Sequence, residues 1–170
     1  MANTTISNKK LANYICDFYG AELPSIDFGN GKSYKGSLLL KVDLDSKKGF
    51  REDVIKKLNQ SFAEIKKTYK VADYQKYAIC DTLETMGKSG MARADIITHA
   101  MNRLPVFPDK AENAIGESGQ NVYVTALSRE LNHLIDAGYV RNCGYDFTNN
   151  ATLYKLTDLF SHDLYDTFKK

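Results

Sequence analysis

The chain has 170 residues, 43% apolar and 26% charged, with a net charge of +2, enough for one globular domain or two small ones. No run approaches the roughly eighteen consecutive apolar residues of a membrane span, and "MANTTISNKKLANYICDFYG" carries no basic segment followed by an apolar run and a cleavage site. Cys16, Cys80 and Cys143 are odd in number and far apart, which argues against a disulfide framework and for a reducing, cytoplasmic setting.

The first predicted element is a helix over 7–19, with Leu11 and Ile15 at helical spacing, Ser7 as cap and Gly20 as stop. A turn-rich piece, "AELPSIDFGNGKSYKG", precedes "SLLLKVDLD", whose short apolar run reads as a strand. "FREDVIKKLNQSFAEIKKTYK" is an amphipathic helix with Val54, Leu58, Phe62, Ile65 and Tyr69 in one stripe and Lys56, Lys57, Lys66 and Lys67 off it. Residues 1–70 therefore read as a small α-β-α unit without an assigned role.

From Val71 onward the pattern changes. Asp73 is placed to cap a helix through Met86 that turns Ala78, Ile79, Leu83 and Met86 inward, and "GKSG" breaks it. A second helix spans about Ala92–Leu104, with Ile96, Ile97, Ala100, Met101 and Leu104 on one face and Pro105 as its end. The connection "PVFPDKAENAIGESGQ" has room for one short helical turn near Lys110–Ile115. A third helix, about Val124–Ala137, buries Leu127, Leu131, Leu134 and Ile135, and Gly138 supplies a left-handed stop. Strands near Tyr139–Cys143 and Ala151–Leu156 follow, and Thr157 is placed to cap a terminal helix, "DLFSHDLYDTF".

Three helices, a glycine stop and a two-stranded hairpin stand in the order of a winged helix-turn-helix domain. The segment holding Ser128, Arg129, Leu131, Leu134, Gly138, Tyr139, Val140 and Arg141, then Leu156 and Thr157, resembles the recognition helix and wing of the MarR-like members of that superfamily. The resemblance covers residues about 72–160. It implies an α+β fold with an N-terminal α-β-α unit over 1–70 and a C-terminal winged-helix domain with its terminal helix over 71–170. It also implies a small DNA-binding transcription regulator, dimeric through the apolar terminal helix.

On that reading Thr125, Ser128, Arg129, Asn132, His133 and Asp136 face outward from the third helix, with Asp136 and the nearby Glu130 both placed to repel phosphates. Arg bonds guanine bidentately, Asn pairs with adenine, and Ser or Thr reaches bases or phosphates. Arg141, at the base of the wing, and Asn149 and Asn150, at its turn, complete the expected double-stranded DNA contacts. The turn "TNN" also suits φ > 0 geometry whatever its partner.

Charge is divided unevenly: residues 1–70 hold 13 Lys/Arg against 8 Asp/Glu, and residues 71–170 hold 10 against 13. Lys9, Lys10, Lys47, Lys48, Lys56, Lys57, Lys66, Lys67 and Lys70 are a solvated face or a source of phosphate contacts. The acidic balance of the second half supports an alternative, in which the scaffold is a protein-binding inhibitor or adaptor, of phage or plasmid type, that blocks a nucleic-acid-handling complex.

Other chemistries find less support. "FGNGKSY" lacks the first glycine of a phosphate-binding loop, which falls at Ile26, and a strand rather than a helix is expected after it. His99, His133 and His162 are scattered and no His/Cys pair has zinc-ligand spacing. Asp43 and Asp45 form a strand-end pair with no third acid in view, and Cys80, beside Ile79, reads as core. No nucleophile–base set is present, so the expectation is a non-enzyme with neither cofactor nor metal.

Overall fold

The computed structural model describes residues 50–159, the helical residues Lys10, Leu11, Tyr14 and Ile15, and two strand pieces, β1 (Ile26–Asp27) and β2 (Ser33–Tyr34). The strand expected at "SLLLKVDLD", the terminal helix and most of the 7–19 helix lie outside the described residues. Within the turn-rich piece β1 pairs antiparallel with β2, Ile26 opposite Tyr34, so that stretch holds a short hairpin rather than a plain turn.

Helix α1 (Phe50–Thr68) follows the 3.6-residue spacing of its apolar stripe. Val54, Leu58, Phe62 and Tyr69 are buried, as is Ile55 beside them, while Ile65 is half-buried. Helix α2 (Val71–Met86) begins after Lys70, whose side chain makes no capping bond. Asp73 therefore sits inside the first turn, where a carboxylate meets the positive end of the helix dipole, and does not act as the cap.

The sequence "GKSG" ends α2 and opens a two-residue strand, β3 (Met91–Ala92), which runs directly into α3 (Arg93–Arg103). Gly90 holds φ +107, and a Cβ there would come within 2.8 Å of Cys143 Sγ; both the backbone and the close approach demand glycine. A short helix, α4 (Pro108–Glu112), lies in the connection before α5 (Val122–Asp136). Strands β4 (Val140–Asp146) and β5 (Ala151–Leu156) form a hairpin, and β3 adds to it in the antiparallel order β3-β5-β4. Periodicity anticipated the hairpin but not β3, because two residues are too few to show a period.

The result is an α+β arrangement of helices against a small antiparallel sheet. Its core gathers Ala78, Ile79, Cys80 and Leu83 from α2, Ile96 and Ala100 from α3, and Leu127, Leu131 and Leu134 from α5. Leu104 and Val140 close it. Each Leu or Ile taken wholly from water contributes about 1.5–3 kcal/mol. Burial pushes the Cys80 thiol up to about 12, so it behaves as a small apolar side chain. Gly138, at φ +87, turns the chain from α5 into β4. Thr157 then ties the two ends of the hairpin, its Oγ1 donating to Gly138 O at 2.6 Å.

Candidate functional site

Helix α5 starts two residues earlier than its apolar spacing suggests, because Asn121 caps it. Asn121 Oδ1 accepts from Tyr123 N at 2.9 Å and Val124 N at 3.2 Å. Its Nδ2 donates to Ala111 O at 2.7 Å and Glu112 O at 3.2 Å. One side chain thus fastens the start of α5 to the end of α4. The signal was present in the sequence, an Asn immediately before the apolar run "VYVTAL".

With the start of α5 so placed, Thr125, Ser128, Arg129 and Asn132 line one open groove together with Gln120, Asn121 and Val124. Thr125, Arg129 and Asn132 are exposed and Ser128 is half-buried. His133 and Asp136 are exposed outside this groove. Glu130 is turned inward and only 8% exposed, its Oε1 3.5 Å from His133 Nδ1. Of the two carboxylates expected to repel phosphates, Glu130 is therefore withdrawn from the outward face, whereas Asp136 stays exposed.

The residue that sequence reasoning missed is Arg93, the first of α3. Its Nη1 donates to Ser128 Oγ at 3.1 Å and more weakly to Ser128 O at 3.5 Å, and its Nη2 donates to Asn132 Oδ1. Its guanidinium carbon lies 6.0 Å from the centre of the Tyr154 ring. A cation at a helix N-terminus is disfavoured by the helix dipole; here the hydrogen bonds and the ring hold it. No local pattern signals this, since Arg93 and Ser128 are thirty-five positions apart. Arg129 has no hydrogen-bond or ion-pair partner among the described residues.

The hairpin residues lie elsewhere. Arg141 is exposed opposite Lys155 across β4 and β5, and both line a second groove with Thr157, Asp158 and Leu159. Asn149 and Asn150 sit at the hairpin tip in turn-building roles. Asn149 Nδ2 donates to Asp146 Oδ2 at 2.7 Å, and Asn150 holds φ +50. Beside them Phe147 is 83% exposed, its ring 5.0 Å from that of Tyr145 in an edge-on pair.

Among the lysines, Lys10 is held by Asp109 and Glu112, each at 2.7 Å, and its ammonium is favoured by both bonds. Lys56, Lys57, Lys66, Lys67 and Lys70 are exposed. Lys9, Lys47, Lys48, Asp43, Asp45 and His162 lie outside the described residues. Among the described residues no three His, Cys, Asp or Glu side chains converge as a metal site, and no helix is long and apolar enough to cross a membrane. No protein-family model, curated protein or solved structure significantly matches the chain.

Proposed function

We propose that this chain is a winged-helix DNA-binding protein, a small transcriptional regulator that reads duplex DNA with α5 and carries no catalytic role. The observation that carries the reading is the placement of Arg93 beside Ser128 and Asn132. It gathers two guanidinium groups and the neutral side chains of Thr125, Ser128 and Asn132 at one exposed helix face, with Glu130 withdrawn. Such a face offers a major groove both charge and hydrogen bonds. The order α2, α3, α5 and hairpin supports the winged-helix assignment. The connection between α3 and α5, which contains α4, is longer than the three- or four-residue turn usual between two such helices. Dimerisation, expected on the same reading, would double a short site.

The test is binding of random-sequence duplex DNA as salt is raised. Phosphate contact predicts that log affinity falls linearly with log salt, by roughly 0.9 for each phosphate neutralised. Replacing Arg129 and Asn132 by Ala is expected to weaken binding at least about fivefold while the fold persists. No binding at low salt would remove the regulator reading.

A second reading keeps a specific observation of its own. Phe147 and Tyr145 project from a hairpin tip whose only charge is Asp146, and exposed aromatics of this kind anchor protein interfaces. A protein-binding inhibitor or adaptor would use that tip. If it does, Phe147→Ala leaves duplex affinity unchanged and abolishes binding to the protein partner.

A further inference from the structure

We infer that Arg93 sets α5 to select guanine over adenine on the strand it contacts. The inference rests on the duplex-binding reading above and specifies its base preference.

An Asn side chain reads adenine by using both ends of its amide, Oδ1 accepting from N6 and Nδ2 donating to N7. Here Arg93 Nη2 already donates to Asn132 Oδ1. The carbonyl oxygen retains a second lone pair, but an adenine amino group brought to it meets the positive guanidinium. Asn132 is left with its Nδ2 donors. Ser128 Oγ accepts from Arg93 Nη1 at 3.1 Å, which leaves its rotatable hydrogen free to donate outward. Arg129, unpartnered among the described residues, brings donors and no acceptor. The middle of the α5 face is therefore a field of donors.

Of the major-groove edges, guanine presents two acceptors, N7 and O6; adenine and thymine present one each, adenine beside a donor, and cytosine presents a donor alone. A donor field matches guanine. Thr125, one turn earlier, has the opposite character. Its hydroxyl donates to Asn121 O at 3.1 Å, so only its lone pairs face outward, suited to the amino group of cytosine or adenine. The sequence alone suggests an Asn–adenine contact for Asn132, and the Arg93 bond reverses that expectation.

The experiment compares duplexes of equal length whose central base pairs place guanine, adenine or thymine on one strand, at low salt with the full chain. Guanine duplexes are expected to bind at least about fivefold more tightly than adenine ones, the scale of one good base contact. Replacing those guanines by 7-deazaguanine, which lacks the N7 acceptor, is expected to abolish the preference. Inosine, which keeps the major-groove acceptors and loses only the minor-groove amino group, is expected to retain it. Arg93→Met releases Asn132 Oδ1 and is expected to bring adenine duplexes level with guanine ones; mere loosening of the helix would weaken both alike. Equal binding of guanine and adenine duplexes by the unmutated protein, or a preference unaffected by 7-deazaguanine, overturns the inference and leaves duplex binding intact. No binding to any duplex overturns both.

Discussion

At the tip of the β4–β5 hairpin one carboxylate organises the turn. Asp146 Oδ1 accepts from Thr148 N at 2.9 Å and Asn149 N at 3.4 Å, while Oδ2 accepts from the Asn149 side chain at 2.7 Å. These bonds favour the ionised form, and the Asn149 side chain, the largest cause, holds the Asp146 carboxyl below the ordinary carboxylate range. The turn is therefore stabilised above the unfolded pKa, and that contribution is lost as pH falls through the depressed folded value. Asn149→Ala is expected to return the Asp146 pKa toward its ordinary value and to loosen the Thr148 amide, both readable by NMR titration; an unmoved Asp146 would show that the side-chain bond does not govern it. This much was legible in "DFTNN", because turn chemistry is local. The bond from Arg93 to Ser128 was not, since nothing near either residue in the chain refers to the other.

Helices α2 and α3 are joined by a polar pin set among apolar side chains. Arg103 is fully buried and donates to Asp81 Oδ2 at 2.8 Å, Thr85 Oγ1 at 3.0 Å and His99 O at 3.3 Å. Burial first, and then the nearby Glu84 carboxylate, push the Asp81 carboxyl up against the opposing pull of Arg103. A raised folded pKa means that stability from this group is greatest at low pH and declines as pH rises through the raised value. The pair therefore orients the two helices more than it stabilises them. Asp81→Ala, which strands a buried cation, is expected to cost about 3–5 kcal/mol, whereas Asp81→Leu with Arg103→Met recovers most of that loss. Denaturant unfolding of the two variants beside the unmutated chain measures it, and a double variant that loses as much as Asp81→Ala would refute the pin. The apolar stripes of both helices could be read by counting residues. The pin could not, because Arg103 at the end of a helix looks like an ordinary exposed cation until the neighbouring helix covers it.

Across the whole molecule, Lys10 and Tyr14 reach the connection between α3 and α5. Tyr14 donates to Leu104 O at 3.3 Å and Val106 O at 3.2 Å. Its ring stands 6.0 Å from Phe62 and 6.1 Å from Phe107, which lie 5.4 Å from each other. Lys10 adds its two ion pairs to α4, exposed bonds that each contribute little. The aromatic cluster is the stronger tie, since it removes three large side chains from water. Phe62→Ala is expected to lower stability by about 3–5 kcal/mol and to shift a single cooperative thermal transition. Separate melting of the early and late parts of the chain would show that the cluster does not couple them.

Helix spacing, the glycine at position 138 and the Asn-rich turn were determined locally, since periodicity and left-handed backbone act within a few residues of one another. The sequence therefore carried the third helix, the hairpin and the outward placement of Thr125, Arg129, Asn132 and His133. Packing alone decided the rest. It brought Arg93 across to Asn132, turned Glu130 inward, buried Arg103, and gave Lys10 two acidic partners. The contacts of Arg93, Arg103 and Lys10 are meetings of charged or polar groups distant in the chain. Their energies depend on burial and on the neighbour's position, and neither quantity exists before the helices pack.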